Sequence, residues 1–410
     1  MSTREINRRE FITQCSIKVS AASLLLGKYD VKPAFGEAKK LKPENKKEPN
    51  MEYRTLGSTG LKVSVVSCGM ANLRERAVLF RALDLGINYF DTAHGYQGGN
   101  SERMLGEVLK KNGRKKVFIG TKIYPFHERY KSSKEFRLLE RKILDDMMDE
   151  SLRRLQTDYV DVFFVHRVPD TGCLSNGDLL AFLENLKKKG KARFVGVSLH
   201  DAGIFVDVAN FVSQPNIFDV LLAWLDFQSP PEHIDALKRA RKTNVGIIAM
   251  KTQAGGYETP STSSLNPMQA ALKWVVNQDY VDCAVPGMQT VEHLEENMGV
   301  VGKTMGWSDR KTLHAYHNDI KHHYCIMCGK CLSTCGNRIN ITAINRALMY
   351  CEGHRDFEKG RRTYLELSRR ESGLSCMNCT APTCKCANSI KIVERMTLAH
   401  SLFTWEGKQT

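Results

Sequence analysis

Eight short apolar runs, separated by amphipathic stretches, constrain this chain more than any other feature. They read VSVVSCG, NYFDTA, VFIGTK, YVDVFFVH, ARFVGVS, DVLLAWLD, VGIIAMK and DCAVPG, after a hairpin-like start, EYRTLGSTGLKVS. The segments between them, among them RERAVLFRALDLG, GDLLAFLENLKKKG and PPEHIDALKRARK, place apolar residues at helical spacing. Strand and helix alternating eight times over about 250 residues predict a closed (β/α)8 TIM barrel. An open doubly wound sheet fits less well, because no G-x-G-x-x-G follows the first run. The expected class is therefore α/β, with the barrel over residues 51–306.

Ionisable residues recur where these runs end. Asp91 follows INYF, Lys122 closes VFIGTK, His166 closes YVDVFFVH, and Tyr96 lies in the glycine-rich loop just past Asp91. In a parallel barrel such positions meet on one rim. Singly, each has a plainer explanation: a turn-forming Asp, a solvated Lys, a satisfied core His. Together they point to a catalytic site.

The run Asp91-Thr92-Ala93-His94-Gly95-Tyr96, with Lys122 and His166 at later strand ends, resembles the catalytic tetrad of the aldo-keto reductases, over roughly Met51 to Val301. The resemblance implies an NAD(P) cofactor lying extended across the strand ends, and hydride transfer to a small carbonyl compound or from an alcohol. On that pattern Tyr96 is the acid, Lys122 favours its phenolate, Asp91 holds Lys122, and His166 orients the carbonyl. Ser198 would face the carboxamide, while Gly287, Gln289, Thr290, Glu292, Glu296 and Asn297 would meet the adenosine end. Leu199, Leu222 and Gln289 stand where the family commonly has Asn, Gln and a cation. Asp226 or Gln228 could replace a lost carboxamide anchor, and little preference for NADPH over NADH is expected.

From Trp307 the strand-like runs cease. Cys325, Cys328, Cys331 and Cys335 make C-x2-C-x2-C-x3-C, a spacing that wraps an iron-sulfur cube; a structural zinc site is the alternative. Cys376, Cys379, Cys384 and Cys386 follow some forty residues on, in a looser C-x2-C-x4-C-x-C. The segment 307–410 resembles a bacterial ferredoxin with two 4Fe-4S clusters, and is expected to be a small, mainly helical ferredoxin-like domain. That resemblance implies that Cys386 completes the first cube and Cys335 the second. Gly336 replaces the usual Pro and Pro382 the usual third ligand, so either Cys384 reaches in through a longer loop or the second site is degraded. Cys68, Cys173, Cys283 and Cys351 are expected to be core or surface residues.

The remaining signals concern location and partners. The chain carries a net charge of +15, with eleven basic against six acidic residues in the first fifty positions. No helix-turn-helix or basic aromatic motif accompanies the charge, so no nucleic acid partner is expected. Asn7-Arg8-Arg9-Glu10-Phe11-Ile12 followed by VSAASLLLG resembles a twin-arginine export signal, with a linker to residue 50. It implies the twin-arginine machinery as a partner and a periplasmic location in a Gram-negative organism; an amphipathic helix on a cytoplasmic protein is the alternative. Two functions follow: a nicotinamide-dependent oxidoreductase carrying one or two clusters, or an electron-transfer protein whose barrel is a docking or sensing scaffold. In both, a redox partner protein is possible, because a nicotinamide moves electrons in pairs and a cluster moves one.

Overall fold

The computed structural model describes residues 51–127, 137–201, 203–215, 217–259 and 266–404. The twin-arginine motif lies outside the described residues. A hairpin of β1 (Tyr53–Thr55) and β2 (Lys62–Ser64) comes first. The eight expected strands follow as one parallel sheet in sequential order. They are β3 (Cys68–Gly69), β4 (Tyr89–Asp91), β5 (Phe118–Ile123), β6 (Val160–His166), β7 (Ala192–Leu199), β8 (Val220–Trp224), β9 (Gly246–Met250) and β10 (Cys283–Ala284). Parallel bridges Val66–Ala284 and Gly69–Gly287 join the first strand to the last and close the barrel.

Among the described residues eight helices of eight or more residues, besides the short turn Thr171–Leu174, separate or follow these strands: α1 (Arg76–Asp84), α2 (Asn100–Asn112), α3 (Arg141–Leu155), α4 (Gly177–Lys188), α5 (Phe205–Val212), α6 (Pro231–Lys242), α7 (Pro267–Val276) and α8 (Val291–Met298). Local chemistry sets several starts. Asn176 caps α4 by accepting from Leu179 N–H, and Asn266 caps α7 with Pro267 in its first turn.

Side-chain alternation sorts the strands into two cores. Along β6, Val162 and Phe164 point into the barrel with Tyr89, Val220, Leu222 and Ile248, while Phe163 and Val165 point out against the helices. Leu56, Leu61 and Val63 of the hairpin segment join the inner cluster and plug the end where the strands begin. The barrel interior is tight enough to require missing side chains. A Cβ on Gly196 would stand 2.5 Å from the Val220 carbonyl oxygen and 2.7 Å from the Phe164 ring.

Four helices follow the barrel: α9 (Trp307–Ile320), α10 (Ile341–Glu352), α11 (Phe357–Leu365) and α12 (Ile392–Thr404). Helix α9 packs on α7 through Lys273–Asp309 at 2.6 Å, and its Tyr316 sits in the barrel's outer core. The other three enclose a separate core of Ile344, Leu348, Tyr364, Met396 and Phe403, pinned by the Arg395–Glu352 pair at 2.6 Å. Among the described residues no strand follows Ala284. Helices α10 and α11 lie over the barrel mouth. Met349 and Tyr350 join the barrel core, Lys359 Nζ donates to Asn72 Oδ1 at 2.9 Å, and Gly353 comes so close to Gly255 that a Cβ would meet its carbonyl oxygen at 2.1 Å.

The Gly196 contacts generate a stability prediction. Gly196→Ala should cost about 1 to 3 kcal/mol through overpacking of Phe164 and the β8 backbone. A denaturant midpoint equal to wild type would show that the barrel interior has room to spare.

Candidate active site

Three neighbouring strands and one loop build the site. Register places Asp91 beside Gly120, Lys122 beside Phe164, and His166 beside Ser198, so the strand ends present their side chains at one rim. Lys122 Nζ donates to Asp91 Oδ2 at 2.7 Å and to the Thr92 carbonyl at 2.6 Å. The Tyr96 ring lies 4.8 Å from Lys122 Nζ and meets the His166 ring edge-on at 6.0 Å between centroids. The strand-end residues and the loop tyrosine that the sequence singled out therefore do come together.

The loop that carries Tyr96 is held by its backbone and by a buried network. Gln97, Gly98 and Gly99 all have positive φ, which folds the chain sharply before α2. Gln97 Nε2 donates to the Leu73 carbonyl at 2.6 Å, and Thr92 and Ser101 share a hydroxyl contact of 2.8 Å. Behind them Glu102 accepts from Thr121 at 2.7 Å and pairs with Arg154 at 3.3 Å. Arg154 in turn donates to the His94 carbonyl at 2.9 Å.

Burial governs the electrostatics. It raises the Asp91 pKa, although Lys122 opposes it. It also disfavours the charge on Lys122, but Asp91 and Tyr96 outweigh that cost and the net shift is upward. For Tyr96 burial again comes first, and it outweighs the lowering effect of Lys122. Lys122 thus favours the phenolate, as expected, but limits the rise rather than reversing it.

The rim opens into a cleft of about 2000 Å³, larger than an ordinary small-ligand pocket. Gly287, Gln289, Glu296 and Asn297 line it, and Glu296 Oε1 is buried without a hydrogen-bond partner among the described residues. Thr290 caps α8 by accepting from His293 N–H, and an exposed Glu292 sits beside that cap. Ser198 is buried behind His200, with 2.8 Å between Oγ and Nε2. Asp226 is not in the lining: its carboxylate accepts from Trp224 Nε1 at 2.9 Å and from the Tyr324 hydroxyl. Leu199 and Leu222 are wholly buried.

Sequence reasoning missed part of the wall. Lys251 ends the segment VGIIAMK, the same strand-end signal that singled out Lys122. Gln253, Gly255 and Gly256 follow in the lining, as do Tyr350, His354 and Lys359 from the C-terminal helices. Nothing in the sequence distinguishes that helical face from an ordinary buried one.

Cys68, Cys173, Cys283 and Cys351 are buried core residues. Cys328 and Cys386 lie close enough to disfavour the thiolates of both Cys325 and Cys331, and Cys335 and Cys379 those of both Cys376 and Cys384; Cys384 also acts on Cys331. As free thiols, Cys325 and Cys331 are pushed up to about 12 by burial. Among the described residues no three His, Cys, Asp or Glu side chains stand as they would around a single metal ion.

Breaking the buried pair should give a pH-dependent defect. Asp91 has a raised folded pKa, so its neutral form is favoured by folding below the ordinary carboxylate range, and that advantage is lost as pH rises through the folded value. Lys122→Met removes both influences of Lys122 that oppose the rise. Its stability deficit should reach about 3 to 5 kcal/mol at about pH 8 and shrink towards about pH 5. Equal deficits at both pH values, read from denaturant melts, would mean that Asp91 is not the group left uncompensated.

The comparisons place the chain among known reductases. Residues 70–266 match the aldo/keto reductase family. L-galactose dehydrogenase of Arabidopsis thaliana is 31% identical over 290 residues, spanning 61% of this chain and 88% of that relative. L-glyceraldehyde 3-phosphate reductase of Escherichia coli (strain K12) is 25% identical over 316 residues, spanning 60% of this chain and 87% of that relative. Among solved structures, an aldo-keto reductase from Bacillus halodurans in its holo form superposes with a TM-score of 0.54 at 20% identity, covering 65% of this chain and 96% of that one. An aldo-keto reductase from Klebsiella pneumoniae in complex with NADPH gives 0.52 at 20% identity, covering 65% and 95%. By fold and by its likeness to these relatives, the chain belongs to the aldo/keto reductase family and is an oxidoreductase.

Proposed function

We propose that this oxidoreductase moves a hydride reversibly between NAD(P) and a carbonyl or alcohol substrate at the rim where Asp91, Tyr96, Lys122 and His166 meet. The observation that carries the reading is the Lys122–Asp91 pair at 2.7 Å next to the Tyr96 ring, inside a cleft of about 2000 Å³. The nicotinamide, when bound, supplies or accepts the hydride. The residues of the chain handle the proton and the orientation. Tyr96, kept protonated by its raised pKa, gives its proton to the alkoxide oxygen, and Lys122 then steadies the phenolate. Asp91 keeps Lys122 in place, and His166 donates a hydrogen bond to the carbonyl oxygen.

The cleft suits a dinucleotide. Glu296 brings a buried acceptor that lacks a donor among the described residues, and Gly255 and Gly256, at positive φ, line the same cleft. Gln289 brings no charge to a 2'-phosphate, and neither the apolar Leu199 and Leu222 nor Ser198, buried behind His200 and outside the lining, serves as a carboxamide anchor. Asp226, engaged by Trp224 and Tyr324, is a poor substitute.

The eight clustered cysteines are read as ligands of two 4Fe-4S clusters. The grouping of Cys386 with the first run and Cys335 with the second supports this, as does the Asn388 N–H donated to Cys386 Sγ at 3.2 Å. A cube holds each thiolate on its own iron, so its four sulfurs stand wider apart than around one ion. Residues 307–404 then form a helical, ferredoxin-like unit that serves a redox partner or stabilises the cap. The twin-arginine motif is read as export of the folded, loaded protein.

Tyr96→Phe should lower carbonyl reduction by about 10² to 10⁴ while nucleotide binding persists. NADH and NADPH should differ in affinity by less than about tenfold, since no charge-assisted contact to the 2'-phosphate is expected. Wild-type turnover in Tyr96→Phe would remove the tyrosine from the chemistry. Protein purified without oxygen should hold about four irons and four sulfides per cube. Cys328→Ser should empty the first site; zinc in place of iron would overturn the cluster reading.

A further inference from the structure

The loop after β9 and the end of α10 are pressed together. A Cβ on Gly353 would stand 2.1 Å from the Gly255 carbonyl oxygen, and one on Gly255 would stand 3.0 Å from Met349 Cγ. Lys251 lies four residues before Gly255 and Tyr350 three before Gly353, so this contact brings the two side chains into one wall. Lys251 has φ at +59°, a conformation that a residue with a long side chain holds only at a cost and that gathers at functional sites. Its ammonium stands 4.0 Å over the Trp224 ring and 3.4 Å from His200 Nδ1. The Tyr350 ring lies 4.3 Å from Lys359 Nζ and 5.4 Å from the His354 ring. Both residues line the cavity that Tyr96 and His166 line, and Tyr350 is close enough to act on the charge of Tyr96.

We propose that Tyr350 and Lys251, one from the C-terminal helices and one from the barrel, form a second phenol–amine pair that binds a hydroxyl group of the substrate while Tyr96 and His166 serve its carbonyl. With the hydride-transfer reading above as its basis, the pair adds a second point of recognition to that site.

A hydroxyl both donates and accepts, so it is recognised by an acceptor and a donor side by side. A phenol and an amine that share one proton offer both, whichever of them holds it, and together they carry no net charge. Each of the two is the strongest single charge acting on the other. Burial brings the Lys251 ammonium down to about 7, with Arg346, Arg167 and Lys359 pushing the same way. Burial opposes ionisation of Tyr350, yet Lys251 and Lys359, with Arg346 and Arg167, bring its phenol down to about 7 as well. Groups matched in this way titrate as a unit, and the shared proton is present between the two steps. Three more titratable groups stand by: His200 against Lys251, His354 against Tyr350, and Glu366 in the cavity lining. Burial and the neighbouring cations hold both histidines well below the usual histidine range, so they stay neutral where the pair titrates. A substrate held by one oxygen at Tyr96 and by another at this pair is fixed in register for hydride transfer.

The test uses the full-length protein and two matched pairs of probes: glyceraldehyde against propanal, and 4-(hydroxymethyl)benzaldehyde against 4-methylbenzaldehyde. Near neutral pH, wild type should favour the hydroxylated member of at least one pair by roughly tenfold in kcat/KM, as expected for hydrogen bonds to charged groups. Tyr350→Phe should lower that ratio roughly tenfold, mainly through KM. A ratio compares substrates on one preparation, so partial misfolding or a purely structural role lowers both members alike and leaves it unchanged. The wild-type ratio should also peak at about pH 7 and fall on either side, as the phenol keeps its proton below and the amine loses its own above, whereas in Tyr350→Phe it should be flat. Equal kcat/KM within both pairs, or a wild-type ratio indifferent to pH, would overturn the proposal while leaving hydride transfer intact. Loss of NADH affinity in Tyr350→Phe with an unchanged ratio would overturn it too, by assigning the pair to the cofactor. If no aldehyde is reduced with either nucleotide, the hydride-transfer reading fails separately, and calorimetry with the two benzaldehydes decides the pair. Tighter binding of the hydroxymethyl compound that is lost in Tyr350→Phe keeps it; equal affinity in wild type removes it.

Discussion

Lys122 is wholly buried, and its ammonium is tolerated because Asp91 stands 2.7 Å away and the Thr92 carbonyl 2.6 Å away. A lone ion in such a place would cost several kcal/mol, so the pair and its surroundings must be assembled together. Strand β4 brings Asp91, β5 brings Lys122, and the parallel register between them sets the distance. The barrel interior, plugged by the hairpin and thinned by Gly120 and Gly196 to admit Tyr89 and Phe164, holds that register. The sharp loop after β4 then lays Tyr96 beside the pair, and the Glu102–Arg154 network keeps the loop from relaxing.

The C-terminal helices change what the barrel mouth is. Without them the rim would be an open surface; with α10 and α11 across it, Tyr350 and Lys359 become part of the wall that faces Tyr96. The junction is specific. Gly353 lies against Gly255, Lys359 reaches Asn72 behind β3, and Tyr257 N–H donates to the Tyr316 hydroxyl at 3.1 Å. The same helices that follow the barrel therefore also shape the cleft in which Tyr96 stands.

Local signals carried far in this chain. Period-two runs and helical spacing were enough for the strand order, since each parallel strand must be returned by a helix and neighbours in sequence become neighbours in the sheet. Strand-end positions were enough to find Asp91, Lys122 and His166, because the end of a parallel strand is a defined place in a barrel. The same rule applied to VGIIAMK would have found Lys251. Asp226 shows where it stops: a strand-end carboxylate is as well suited to hold Trp224 and Tyr324 together as to meet a ligand, and only packing decides.

What the sequence determined by itself was the barrel, the rim and the two runs of cysteines, all written in short-range spacing. The tertiary structure decided the rest: the net upward shift of Tyr96, the withdrawal of Asp226 and Ser198 from the cleft, and the gathering of Arg167, Lys251 and Lys359 around Tyr350. Each depends on burial or on contacts between segments distant in the chain. Arg167 and Lys359 are nearly two hundred positions apart, and no local pattern in either segment records that their charges act on the same Tyr350 phenol.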